Sequence, residues 1–122
     1  MYAYSENKTQ ALALAHKCLA SPGEQSEPLL VYYFEDDSEA HDDELQGQLE
    51  TEFNQAWLAT TEELTRAFGP ALVVEECEET RWVPLSGVGG ASSWRTDQGR
   101  LWVAYAHEDR ETPYLLLVGK LP

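Results

Sequence analysis

Basic side chains are scarce in this sequence: eight lysines and arginines stand against 22 aspartates and glutamates in 122 residues, a formal net charge of −14 with histidines neutral. A nucleic-acid surface works by neutralising phosphates with Lys and Arg, and an anionic membrane surface draws on the same residues. Neither is expected as a partner. Cysteine is nearly missing too. Cys18 lies in an apolar helical pattern and Cys77 at the end of an apolar run, with no Cys-x-x-Cys anywhere, so they read as buried or idle thiols and not as a zinc pair. No apolar run reaches the length of a membrane-spanning helix. The opening MYAYSENKTQ lacks the basic n-region and apolar h-region of a secretory signal. A cytoplasmic protein is expected, unless a leader has already been removed.

Signatures of catalysis are missing as well. Neither Gly-x-Ser-x-Gly nor His-Glu-x-x-His occurs. The GVGG at 87–90 has neither the spacing nor the Lys-Ser/Thr of a phosphate loop, and no parallel βαβ unit surrounds it. No catalytic residue, metal ligand or cofactor is assigned, enzyme activity is not expected, and no internal repeat is visible.

What is present suits one domain over residues 1–122. The apolar fraction of 43% and the charged fraction of 25% are those of ordinary globular chains, and the length suffices for one core without metal or disulfide support. The strongest signal is Ser93–Val118, three apolar runs separated by two polar turns, the pattern of a three-stranded antiparallel meander. Its strands are predicted at Ala91–Arg95, Leu101–Ala106 and Tyr114–Val118, with a tight turn at Thr96-Asp97-Gln98-Gly99. In the middle strand Leu101, Val103 and Tyr105 share one face and Trp102, Ala104 and Ala106 the other. One face must be core.

Upstream, Glu6–Ala20 reads as a helix capped by Ser5 and stopped by Ser21-Pro22-Gly23. Leu12, Ala15 and Leu19 make its stripe, widened by Leu14 and Cys18; His16 beside it reads as a packed or partly exposed side chain and not as a ligand. Leu29–Phe34 reads as a strand buried on both faces or near the sheet centre. In the EDDSEAHDDE that follows, seven of ten side chains are acidic, so it must be solvated; Ser38 is a candidate helix cap within it. Leu45–Phe68 has helical spacing, weakened by Gly47 in its first half, where a short strand or loop is the alternative, and with a capping-box form at Thr60 and Glu63 that suggests a restart or kink. Gly69-Pro70 ends it, Ala71–Val74 gives a short strand, and Trp82–Gly90 reads as a flexible loop. The sum is an α+β fold: an antiparallel sheet of about five strands with a C-terminal three-stranded meander, covered by two helical regions from the N-terminal half.

Two clusters combine histidine with carboxylates, His41-Asp42-Asp43-Glu44 and His107-Glu108-Asp109. Contiguous residues diverge on a helix or strand, so each reads as a solvated charged turn, and a metal site would need the two to meet in space. Trp82, Trp94 and Trp102 fall in or beside the meander. Most should be core, with one or two left exposed among carboxylates as an anchor for a basic partner. The expected partner surface is Glu35, Asp36, Asp37, Asp42, Asp43 and Glu44, then His107, Glu108, Asp109 and Glu111, with Trp102. Acidic residues at 75–79 are a further candidate.

The segment HEDRETPY, set between LWVAYA and LLLVGKL and preceded by LTRAFGPA, resembles the small, acidic, cytoplasmic α+β immunity proteins that neutralise bacterial polymorphic toxins. The likeness spans residues 57–122 and carries over no functional residue. It implies a stoichiometric complex with a toxin domain, often a nuclease whose basic cleft an acidic surface can fill. An acidic secretion-type chaperone for an effector protein is the alternative, and an enzyme binding a metal through His41 or His107 a third. A monomer and a homodimer are both compatible with the sequence.

Overall fold

Alternation along the C-terminal third decides the architecture. A computed structural model describes residues 11–74 and 80–122. The elements in order are α1 (Ala11–Ala20), β1 (Gln25–Tyr32), α2 (Asp37–Ala40), α3 (Asp43–Phe68), β2 (Leu72–Val74), β3 (Val88–Thr96), β4 (Gly99–Ala106) and β5 (Tyr114–Leu121). The strands form one antiparallel sheet in the order β1-β5-β4-β3-β2. The meander is therefore β3-β4-β5, and the α+β reading holds. The Ser5 cap, the first turn of the Glu6–Ala20 helix, Cys77 and the acidic 75–79 run lie outside the described residues.

Leu101, Val103 and Tyr105 of β4 turn to the helices, where they join Leu116 and Val118 of β5, Trp94 of β3, and Leu49, Phe53, Trp57 and Leu64 of α3 in the main core. The opposite face is buried as well. Trp102, Ala104 and Ala106 pack there with Val83, Val88 and Ala91, beneath Trp82 and Leu85. The segment read as a flexible loop is thus a cover, and its last residues, Val88–Gly90, belong to β3. The small side chains of Ala91, Ala104 and Ala106 let it approach the sheet closely. Trp102, expected at a partner surface, is 0% exposed. Its indole occupies the space above Gly119, where any side chain would overlap the ring. That expectation is corrected: the tryptophan is sealed between the sheet and its cover.

The region from Asp43 to Phe68 is one helix of 26 residues, about 39 Å long at 1.5 Å per residue. It runs through Gly47, whose cost of about 1 kcal/mol relative to alanine is outweighed by the burial of Leu49, Phe53 and Trp57. No restart occurs at Thr60. Its neighbour Thr61 donates back to the Trp57 carbonyl at 2.8 Å and meets the Ser92 hydroxyl at 2.8 Å, so the hydroxyl is used inside the helix. Gly69 closes the helix, its N–H donating to the Thr65 carbonyl at 2.9 Å, while its own carbonyl accepts from Trp94 Nε1 at 2.9 Å.

β1 starts and ends four and two residues earlier than the apolar run suggests, and it is an edge strand, not a central one. Leu29, Leu30, Val31 and Tyr32 are nonetheless all buried. Pro28 explains the position: proline cannot donate to a ladder and is tolerated at edges and bulges, and the β1–β5 register shifts between Pro28 and Leu30. On α1, Cys18 is buried, and burial pushes its thiol pKa up, which makes it a poor nucleophile at neutral pH. No helix among the described residues is long and apolar enough to cross a membrane.

Candidate functional site: an acidic end of the sheet

The order β1-β5-β4 places the exit of β1, the exit of β4 and the entry of β5 at one end of the sheet. The acidic run after Phe34 and the HEDRETP turn between β4 and β5 both emerge there. Two contacts between charged or titratable side chains join them, across 67 and 70 residues of sequence. Arg110 pairs with Asp43, holding the Asp43 carboxyl below the usual carboxylate range, and His41 Nε2 lies 3.6 Å from Glu111 Oε1. A third link is made by an amide: the Gln46 side chain donates to the Ala40 carbonyl at 2.7 Å and to the Arg110 carbonyl at 3.1 Å.

Several carboxylates in this patch shape the backbone that displays the others. Asp36 caps α2 by accepting from the Glu39 N–H at 2.8 Å. Asp42, and not Ser38, caps α3, accepting from the Glu44 and Leu45 N–H groups at 3.1 and 3.2 Å. Both sit where a helix terminus favours negative charge. Asp109 accepts from the Glu111 N–H at 2.9 Å and folds the turn. Glu39 takes the Tyr32 hydroxyl and the Glu35 N–H. Asp37, Glu44 and Glu108 are exposed and make no hydrogen bond or ion pair through their carboxylates among the described residues. Between α2 and the start of α3 the surface forms an open concavity of about 460 Å³, lined by Asp36, Ser38, Glu39, Asp42, Glu44, Leu45 and Gln48.

His107 is not one of the displayed groups. Its ring stacks on Tyr114 with centroids 3.8 Å apart and planes 14° from parallel, and Phe34 approaches at 6.0 Å. Its Nε2 is buried without a hydrogen-bond partner. It therefore joins the turn to the core. Burial lowers its pKa from 6.5, outweighing Glu50 and Asp109, which act the other way. Below about pH 6.5 the unfolded chain accordingly takes up more protons than the folded one, and stability falls as the pH drops through that range. In urea unfolding, the wild type should lose more stability between pH 7.5 and 5.5 than His107→Phe, which keeps an aromatic ring against Tyr114. Identical losses would remove His107 from the account. Beneath this stack, Tyr114 donates to the Gln46 side-chain oxygen at 3.2 Å, and burial pushes its phenol pKa up to about 12.

The structure brings together ten of the eleven residues expected at the surface, with His107 half-buried, and leaves Trp102 inside. Reading the sequence alone misses Tyr33, which is 56% exposed and stands two residues before the acidic run. Its signal is its place: it follows the last residue of β1, near the end of the apolar run. Gln46 is also missed, since a lone glutamine in a helix carries no pattern. The two histidine–carboxylate clusters meet, yet among the described residues no group of three or more His, Cys, Asp or Glu side chains is arranged to hold a metal ion. Comparison with family profiles, curated proteins and solved structures finds no match to this chain.

Proposed function

We propose that this chain is an acidic protein-binding module that inhibits a basic partner by stoichiometric binding, in the manner of the toxin-neutralising immunity proteins it resembles. One observation carries the reading: two acidic segments distant in sequence converge on one end of the sheet, seven carboxylates from 35–44 and three from the HEDRETP turn, with Arg110 the one basic side chain in either segment apart from the histidines. A patch of one sign raises the encounter rate with an oppositely charged surface, an effect that declines with salt. Tyr33 supplies an aromatic anchor beside the charge, the combination of apolar body and polar tip that concentrates binding energy at interfaces.

The test separates displayed carboxylates from structural ones. Asp37→Lys, Glu44→Lys and Glu108→Lys together leave the caps at Asp36 and Asp42 and the turn at Asp109 intact. The far-ultraviolet circular dichroism should stay that of the wild type, with the melting temperature lowered only by the charge reversals in the first turns of α2 and α3. Association with a basic protein encoded beside this one, captured by co-purification at low salt, should slow by about tenfold or more. An unchanged association rate, or no basic neighbour product retained by the wild type, would defeat the proposal.

A further inference from the structure

At the opposite end of the sheet two arginines stand side by side. Arg95 of β3 and Arg100 of β4 face each other directly across the two-residue turn, on the side of the sheet away from the helices. Like charges directly opposite on neighbouring strands are unfavourable. The repulsion is felt here: burial, and then the Arg95 guanidinium, both lower the Arg100 pKa. In a chain with 22 acidic residues the ordinary remedy is a carboxylate. Lys17, Arg66 and Arg110 each have one, from Glu27, Glu62 and Asp43. Arg95 and Arg100 have none among the described residues, and neither do Arg81 and Lys120, but only Arg95 and Arg100 face each other across a ladder.

Arg100 is nevertheless held in place. Its guanidinium lies over the Trp82 ring, 3.7 Å from the centroid, and Nη2 donates to the Ser93 hydroxyl at 3.3 Å. A guanidinium has five N–H donors in a fixed fork, and among the described residues Arg100 uses one of them and Arg95 none. The two side chains border an open concavity of about 310 Å³ with Thr96, Gly99 and Pro122. Stacking and a hydrogen bond fix one fork, and the second stands opposite it without an ion pair among the described residues. An extended polyanion is an unsuitable occupant, because the net charge of −14 would repel its remainder.

We propose that Arg95 and Arg100 form a binding site for a compact oxyanion, a phosphoryl or carboxylate group on a small molecule, gripped between the two guanidiniums. The site is independent of the acidic patch: an eight-residue strand separates them by roughly 25 Å at about 3.3 Å per residue. Inorganic phosphate, pyrophosphate and citrate are the probes, titrated calorimetrically into the wild type, Arg95→Gln and Arg100→Gln, with sodium chloride of matched ionic strength as control. At least one probe should bind the wild type saturably at one to one, and each variant should weaken it by about tenfold or more. Binding of the phosphates alone assigns a phosphoryl ligand and binding of citrate alone a carboxylate. A second readout guards against a folding defect. Without ligand, Arg95→Gln should melt no lower than the wild type, since it removes a repulsion, yet it should lose the rise in melting temperature that the bound probe gives the wild type. No saturable binding beyond the chloride control, or equal binding by the variants, overturns the site.

Discussion

Trp57→Ala should lower stability by about 3–5 kcal/mol, the range for truncating a buried aromatic residue, and for a domain of this size that is a large part of a total of about 5–15 kcal/mol. The indole is fully buried, stands 5.7 Å from the Tyr105 ring, and lies over Gly90 of β3. A methyl group at Gly90 would sit 2.7 Å from the indole Cζ3. Helix and strand therefore meet as a large side chain over none, and the β3 backbone, held between β2 and β4, cannot move up to fill the gap. This gives a prediction of sign. Gly90→Ala should destabilise the wild type, because its new methyl collides with the ring, and stabilise Trp57→Ala, where the same methyl fills part of the cavity. Urea unfolding of the four proteins measures the coupling; Gly90→Ala having the same effect in both backgrounds would refute the packing described here.

Gly119→Val should be nearly as damaging, for the opposite reason. A side chain at 119 would overlap the Trp102 indole and lie 2.6 Å from the Gln25 carbonyl oxygen. The first obstacle is a ring sealed under its cover, and the second is backbone of the neighbouring strand. Neither can yield cheaply, so the loss should reach the upper end of the roughly 1–3 kcal/mol typical of overpacking. Gln25 and Ser26 pair with Lys120 and Gly119. Amide exchange should therefore show the first residues of β1 losing protection before those of β3 and β4. Uniform loss across the sheet, or none, would contradict the placement.

The sheet was readable where one period dominates. The faces of β4 followed from strict alternation, and the Thr96–Gly99 turn from its position between two apolar runs; Gly99 has the positive φ of 132° that such a residue can supply. Other features depend on partners that no local pattern names. Gly47 argued against helix because propensity is local, whereas the burial that carries the helix through it is tertiary. The apolar run in β1 looked central because both its faces are buried; Pro28 was the contrary signal. Alternation separated Trp102 from Leu101 and Val103 but could not reveal that Trp82, Val83 and Leu85, which have no regular spacing, would cover the second face. The acidic runs were visible as composition. That they adjoin depends on β1 pairing with β5, a long-range contact, and Trp102 was assigned to them because an aromatic residue near a charged turn reads the same in sequence whether it points out or in.

The pairing of β1 with β5 also sets an order in time. Meander pairings join neighbours in sequence and close short loops, whereas Gln25 meets Lys120 only by closing almost the whole chain, at a greater entropic cost and a slower rate. During synthesis the earliest strand has to wait for the latest one, with Leu29 to Tyr32 lacking their ladder throughout. The acidic patch straddles that same junction. A chain arrested before β5 would carry the charge of residues 35–44 without the β1–β5 pairing that brings it against the HEDRETP turn, so the patch would be assembled only with that strand.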